Sequence, residues 1–264
     1  MRSIIWLASY PKSGNTWVRF LLLNLLYGRQ DTTENLESHI PDIHKSNGHI
    51  RLPVNGNILI KTHFMLADNM PLLDHTAGFI HIIRNPIDVM ISNMNYAYMA
   101  NRTPFDAAEL EDFRNKYIAR FTGNHGDPYW SSLGRGGMDE HISSWLDNKP
   151  NLPNLLLRYE DLMDDPLPQV KRLCQFLNIQ KTDPEILCAV ENSSFEHMKS
   201  IEEKELKGKL PGFFLDESNN HSLSKDRRFM VSGKSGEGKY QLNQLQMEQF
   251  MEVFGQIMQR LDYH

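Results

Sequence analysis

Cysteine is scarce: the 264 residues hold two, Cys174 and Cys188. Each falls in an amphipathic helical pattern and reads as a buried free thiol in a reduced compartment. A pairing of the two is open but has no support in the sequence. Basic excess is also missing. A formal net charge of -5 argues against a nucleic-acid coat, though local basic clusters remain compatible with it. No apolar run approaches membrane-spanning length, and the stretch after Arg2 is too brief for a signal-peptide core. Repeats and low-complexity tracts are absent. A soluble cytoplasmic protein is expected, a monomer or homodimer without nucleic-acid or membrane partners. What is present is a 40% hydrophobic composition, enough to bury a full core, most simply as one domain over 1–264.

Four short apolar runs are bounded by turn residues: 3–8 (SIIWLA), 57–62 (NILIKT), 78–84 (GFIHIIR) and 154–159 (NLLLRY). They are continuous rather than alternating, as suits strands covered on both faces. Helical patterns lie between and after them. TWVRFLLLNLLYG ends at a capping Gly28, and PIDVMISNMNYAYMA opens with Pro86 and Asp88 in its first turn. DEHISSWLDN, PLPQVKRLCQFLN and a long C-terminal pattern from Gln241 to Leu261 follow. This order predicts an α/β single domain with a central, mostly parallel sheet flanked by helices. Two stretches, 100–137 and 203–240, read as irregular, and 95–137 and 203–240 are expected to form substrate or lid segments near the strand ends.

The turn between the first strand and first helix is SYPKSGNTW, Ser9 to Trp17. Helix-start amides point out of such a turn, and the helix dipole favours an anion there. Gly14 permits close backbone approach, Ser13 and Thr16 add hydroxyls, and Lys12 adds a mobile charge. A plain connecting turn with a solvated lysine is the alternative. The nucleotide loop G-x-x-x-x-G-K-[ST] has its lysine after the last glycine; here it comes before. Farther on, HIIRNPIDVMIS sets Arg84 at a strand end and Ser92 in the second helical turn, a spacing that suits one shared anion. IKTHF sets Lys61 and His63 on one face of the second strand's end, and a histidine can accept a proton near neutral pH.

YPKSGNTW resembles the 5′-phosphosulfate loop of sulfotransferases that use 3′-phosphoadenosine 5′-phosphosulfate (PAPS), and its Asn15 version is similar to that of bacterial enzymes acting on natural products. RNPIDVMIS is similar to the family's 3′-phosphate motif and KTH to its catalytic-base segment. YEDLMDDP and SSFEHMK also have family counterparts. The resemblance covers most of the chain and implies a P-loop-like fold. It further implies nucleotide contacts from Ser13, Gly14, Asn15, Thr16, Trp17, Arg84, Ser92, Tyr159, Ser193 and Phe195, with Trp17 stacked on adenine and Tyr159 beside it. Where the family has F-x-R-K-G-x-x-G-D-W, this chain has FMVSGKSGEGKY. Val231 and Ser232 stand in place of the basic pair, leaving Ser232, Gly233 and Lys234 to contact the 3′-phosphate. Lys239, Arg227 or Arg228 are further sources of charge.

The expected reaction is in-line sulfuryl transfer through a loose transition state to a hydroxyl, less readily an amine, of a small-molecule acceptor such as a secondary metabolite. Lys12 stabilises the leaving oxygen, His63 takes the acceptor proton and Lys61 lies against the sulfuryl oxygens. No metal is expected. Phe64, Met94, Tyr98, Tyr129 and Trp130 are candidate acceptor walls. Carboxylates at Asp106, Glu109 and Glu111 suit either a cationic acceptor or a solvated helix face. One alternative is a P-loop small-molecule kinase, which wants the G-K-[ST] order and an acidic Mg²⁺ ligand that are not evident here. Another is an inactive nucleotide-binding module, favoured by the altered 231–238 segment.

Overall fold

The structure is a computed structural model and describes residues 2–45, 50–99, 105–215 and 235–263. Four strands, β1 (Ile4–Ala8), β2 (Ile58–Thr62), β3 (Thr76–Ile83) and β4 (Asn154–Arg158), form one sheet in the order β2-β1-β3-β4. Every pairing is parallel. Helices α1 (Asn15–Tyr27) and α2 (Leu36–His39) follow β1. Between β3 and β4 come α3 (Pro86–Met99), α4 (Ala107–Gly123), α5 (Pro128–Ser132) and α6 (Met138–Asp147). After β4 come α7 (Tyr159–Asp164), α8 (Pro166–Leu177), α9 (Asp183–Glu191), α10 (Phe195–Gly208) and α11 (Gln244–Arg260).

The continuous apolar runs have the cause expected of them: both faces of the sheet are covered. In β1 the side chains alternate between two cores. Ile5 and Leu7 pack with Val18, Leu22, Val170 and Ile186 from α1, α8 and α9, whereas Ile4, Trp6 and Ala8 meet Phe79 and Trp145. A third core joins α3, α4, α6 and α11 around Met90, Phe121, Ile142 and Phe254. Gly28 closes α1 with its amide on the Asn24 carbonyl at 2.9 Å, as the sequence suggests.

Two expectations need correction. The stretch 100–137 contains a 17-residue helix, α4, which starts with a capping box: the Asp106 carboxylate accepts from the Glu109 amide, and Glu109 accepts from the Asp106 amide, each at 2.9 Å. Likewise 203–208 continues α10 rather than opening a loop. Polar composition concealed both: most of α4 faces solvent, and in 203–208 the one buried residue, Glu205, is itself polar. Among the cysteines, Cys174 is buried but Cys188 is on the exposed side of α9, and both are free. Among the described residues, no helix is long and apolar enough to cross a membrane.

The chain leaves β1 for β2 on one side, then returns to β3 on the other. The strand order therefore reverses between β1 and β3, and ligands bind outside the carboxyl ends of strands at such a point.

Candidate functional site

The carboxyl ends of all four strands open onto one cavity of about 1070 Å³. Lys12 and Gly14 follow β1, His63 follows β2, Arg84 follows β3, and Tyr159 follows β4; all five line it.

The turn after β1 is held rigidly. Lys12 has a φ of 74° and Gly14 a φ of 98°, alternating left-handed residues that turn successive amides toward one side. Asn15 supports the turn from beneath: its Nδ2 donates to the Leu7 carbonyl at 3.0 Å and to Ser9 Oγ at 3.1 Å. Gly14 also sits against the Tyr159 ring, where a Cβ would come within 2.4 Å of Cδ2. The first amides of α1 have no intrahelical acceptor and face the same place. Lys12 Nζ lies 4.5 Å from the Tyr96 ring centroid. Burial, together with the charges of Arg84 and Lys61, brings its pKa down to about 7. The turn thus fits an anion that would restore the lysine's charge.

His63 is buried, and its Nδ1 lies 2.7 Å from the Ser9 carbonyl oxygen. A carbonyl only accepts, so Nδ1 carries the proton and Nε2 keeps the lone pair. The His63 amide donates to His44 Nε2 at 2.8 Å, and the two imidazoles stack with centroids 5.7 Å apart. Burial holds His63 well below the ordinary histidine range, helped by Lys61, His44 and Arg135. It is therefore neutral and able to accept a proton. Lys61 is engaged elsewhere: its Nζ is paired with Asp42 Oδ2, a carboxylate that is itself buried.

At the opposite end, Arg84 stacks over the Tyr159 ring at 4.4 Å and lies 4.0 Å from Asp88. Asp88 accepts from the Gly236 amide at 2.7 Å, the Gly238 amide at 2.9 Å and the Ser235 hydroxyl at 3.1 Å. The altered C-terminal segment is thus tied to the start of α3 through a carboxylate. Lys239 is exposed over Tyr240, away from the cavity wall. Ser232, Gly233 and Lys234, with Arg227 and Arg228, lie outside the described residues.

Of the remaining expected contacts, Asn15, Thr16, Trp17, Ser92 and Phe195 line the cavity, and so do Tyr129 and Trp130. Trp17 and Tyr159 already meet edge to face at 5.1 Å, and Trp17 Nε1 donates to the Ser193 carbonyl at 2.8 Å. No base fits between the two rings. Ser13 is buried, with its amide on the Tyr10 carbonyl. Ser193 is fully buried; its hydroxyl donates to the Ala189 carbonyl and accepts from Asn24. Neither is among the described lining residues.

Three acceptor-wall expectations differ from the structure. Met94 is buried in the core, and Tyr98 packs on Phe105 and Phe113. The cavity face of α3 is instead Asp88, Ile91, Ser92, Asn95 and Tyr96, spaced at i, i+3, i+4, i+7 and i+8. Phe64 packs on His44 and takes the Trp145 indole proton on its carbonyl. Asp106 and Glu109 are spent on capping α4, and Glu111 is exposed, so none of the three reaches the cavity.

Asp42, His44, Tyr96 and Arg135 also line the cavity and were not singled out from the sequence. Tyr96 follows from Ser92 by helical period; the other three had no local signal. Asn93 joins the two ends, with its Nδ2 on the Pro11 carbonyl at 3.2 Å and its Oδ1 accepting from Trp130 Nε1 at 2.7 Å.

The cavity stands at the upper end of the range of small-molecule sites, about 300–1,000 Å³. An anion turn and a proton-accepting imidazole at neighbouring strand ends are the architecture of a nucleotide-dependent group-transfer enzyme. The family model described as "Sulfotransferase domain" matches residues 2–262, and the chain belongs to the sulfotransferase family. It is 29% identical over 265 residues to sulfotransferase 2A6 of Rattus norvegicus, covering 96% of this chain and 83% of the relative. Sulfotransferase 1B1 of Canis lupus familiaris is 28% identical over 265 residues, at 95% and 81% coverage. Among solved structures, mouse sulfotransferase SULT7A1 complexed with PAP superposes with a TM-score of 0.64 at 23% identity, covering 97% of this chain and 84% of that one.

Proposed function

We propose that the chain transfers a sulfuryl group from PAPS to the hydroxyl of a small-molecule acceptor, with His63 as general base. The observation that carries this reading is the tautomer of His63. Its Nδ1 proton is committed to the Ser9 carbonyl at the end of β1, so the free lone pair belongs to a cavity whose anion turn begins one residue later.

PAPS supplies an activated sulfuryl group whose leaving group is a phosphate oxygen. The residues fit that donor: Gly14 opens the turn where any side chain would strike Tyr159, and the helix-start amides with Lys12 suit a 5′-phosphosulfate. Arg84 and Ser92 suit the 3′-phosphate, and Trp17, Tyr159 and Phe195 suit the adenine. In the reaction the acceptor oxygen forms its bond to sulfur as the bond to the phosphate oxygen breaks. The acceptor proton passes to His63 Nε2, and Lys12 stabilises the charge left on the phosphate oxygen. The donor's negative charge offsets Lys61, which raises the basicity of His63 when it is needed. Lys61, paired with Asp42, acts as a fixed positive field rather than a mobile contact. The products are a sulfate ester and 3′,5′-adenosine bisphosphate. A secondary metabolite handled in the cytoplasm is the acceptor class this reading favours.

Calorimetric titration of 3′,5′-adenosine bisphosphate tests the donor half. Micromolar or tighter binding that Lys12→Ala weakens is expected, and no binding to the wild-type protein overturns the proposal.

A further inference from the structure

The acceptor end holds a cation that the transfer step does not use. Arg135 lies between α5 and α6 and lines the cavity at 8% exposure. Its Nε is buried without a hydrogen-bond acceptor. Among the described residues, no carboxylate comes within salt-bridge reach of its guanidinium and none of its side-chain nitrogens donates a hydrogen bond to the protein. Its position is nevertheless fixed. The Arg135 amide donates to the Trp130 carbonyl at 3.1 Å, and its Cζ stands 4.8 Å from the Trp130 ring. Ser131 holds the next carbonyl, that of Gly136, at 3.1 Å. Gly136 itself has a φ of 70°, and a Cβ there would meet Met65 Sδ at 2.3 Å. The loop is thus built to present this side chain in one place.

The surroundings do not neutralise it. Asp42 is the nearest acidic influence and is already paired with Lys61. Glu37 meets Arg19 at 3.1 Å and Lys45 at 3.9 Å. Both carboxylates are therefore already engaged by other cations. His44, His63 and His141 are neutral, and Tyr10 and Tyr96 keep their protons at neutral pH. A guanidinium buried without a counter-charge is costly, and an incoming anion with two oxygens removes that cost through paired hydrogen bonds.

We infer that Arg135 selects an acidic acceptor, a hydroxylated molecule carrying a carboxylate that the guanidinium grips while its hydroxyl meets His63. This rests on the sulfotransferase reading. Tyr96, Tyr129 and Trp130 on the same wall favour an aromatic or similarly flat carbon frame.

The test uses the full chain saturated with 3′,5′-adenosine bisphosphate and matched phenol pairs: 4-hydroxybenzoate and 3-(4-hydroxyphenyl)propanoate, each against its primary amide. Calorimetry is expected to show at least one carboxylate binding about tenfold or more tighter than its amide. Arg135→Gln should abolish that advantage and Arg135→Lys should keep part of it, with bisphosphate affinity unchanged in both as the sign of an intact fold. Equal binding of acid and amide, no binding of either acid, or an advantage that survives Arg135→Gln overturns the inference. So does a loss of bisphosphate or PAPS affinity in Arg135→Gln, which would give the guanidinium to the donor. Failure of the wild-type protein to bind the bisphosphate strikes the sulfotransferase reading instead. In that case the acid-over-amide comparison, made without nucleotide, still decides whether Arg135 takes a carboxylate.

Discussion

On the proposed reading, the phosphosulfate end of the cavity is one continuous turn, residues 9–17, whereas the acceptor end gathers positions 42, 44, 63, 96, 130 and 135 from separate parts of the chain. The turn is internally braced: Asn15 reaches back to Leu7 and Ser9, and Ser9 fixes His63. The acceptor end depends on long-range ties, such as Asn93 between Pro11 and Trp130 and the Tyr10 hydroxyl accepting from the Asp127 amide. A common donor asks for one geometry, which a short rigid turn can encode. An acceptor pocket assembled from distant loops can change in shape and charge without disturbing it.

Several substitutions separate the two ends. The largest effect belongs to the chemistry where they meet. Lys12→Ala and His63→Ala should each lower turnover by about two orders of magnitude or more in a PAPS transfer assay. Lys12→Ala should also weaken bisphosphate binding, while His63→Ala should spare it. Near-normal turnover by His63→Ala would remove it as the base.

Next comes Gly14→Ala. It forces a side chain into a left-handed backbone at φ 98° and into the Tyr159 ring. Strain of about 1–2 kcal/mol plus the clash should cut bisphosphate affinity about tenfold or more, measured by calorimetry. Unchanged affinity would contradict the close-packed turn.

A smaller effect is expected in pH dependence. The free protein releases the Lys12 proton at about pH 7, and a bound phosphate favours the charged lysine, so binding takes up a proton above pH 7. Affinity should therefore fall as pH rises from 7 to 9, by at most tenfold per unit. Lys12→Met should flatten the curve. Calorimetry at pH 8 in two buffers of different ionisation enthalpy measures the uptake directly, and zero uptake contradicts the assignment.

The smallest effect lies outside both ends. Asp106→Ala removes the cap of α4 and should cost about 1 kcal/mol, a melting shift of about 2–4 °C, with turnover unchanged. A large loss of turnover would mean that α4 shapes the acceptor end more directly than its exposed cap suggests.

The same contrast explains what could be read in the sequence. β1 to β4 stood out because strands buried on both faces are written as unbroken apolar runs, and the turn stood out because its residues are consecutive. Arg84 with Ser92 was legible through helical spacing. The acceptor end was legible only in His63, Tyr129 and Trp130. Met94 and Tyr98 were chosen for their size, yet the helical period turns Ser92, Asn95 and Tyr96 to the cavity. Arg135, flanked by glycines, has nothing in its neighbours to reveal that the fold buries it. Asp42 and His44 reach the site only because their loop runs beside β2, where Asp42 bridges Lys61. α4 escaped notice because its exposed polar face outweighs the Tyr117–Ile118–Phe121 stripe that buries it.

The most direct measurement is bisphosphate release from PAPS with a panel of hydroxylated small molecules, comparing the wild-type chain with Lys12→Ala and His63→Ala. Release that depends on an acceptor, yields a sulfated product by mass and drops by about a hundredfold or more in both variants is the result expected. Acceptor-dependent release that His63→Ala leaves intact, or the absence of any bisphosphate binding by the wild-type chain, would contradict it.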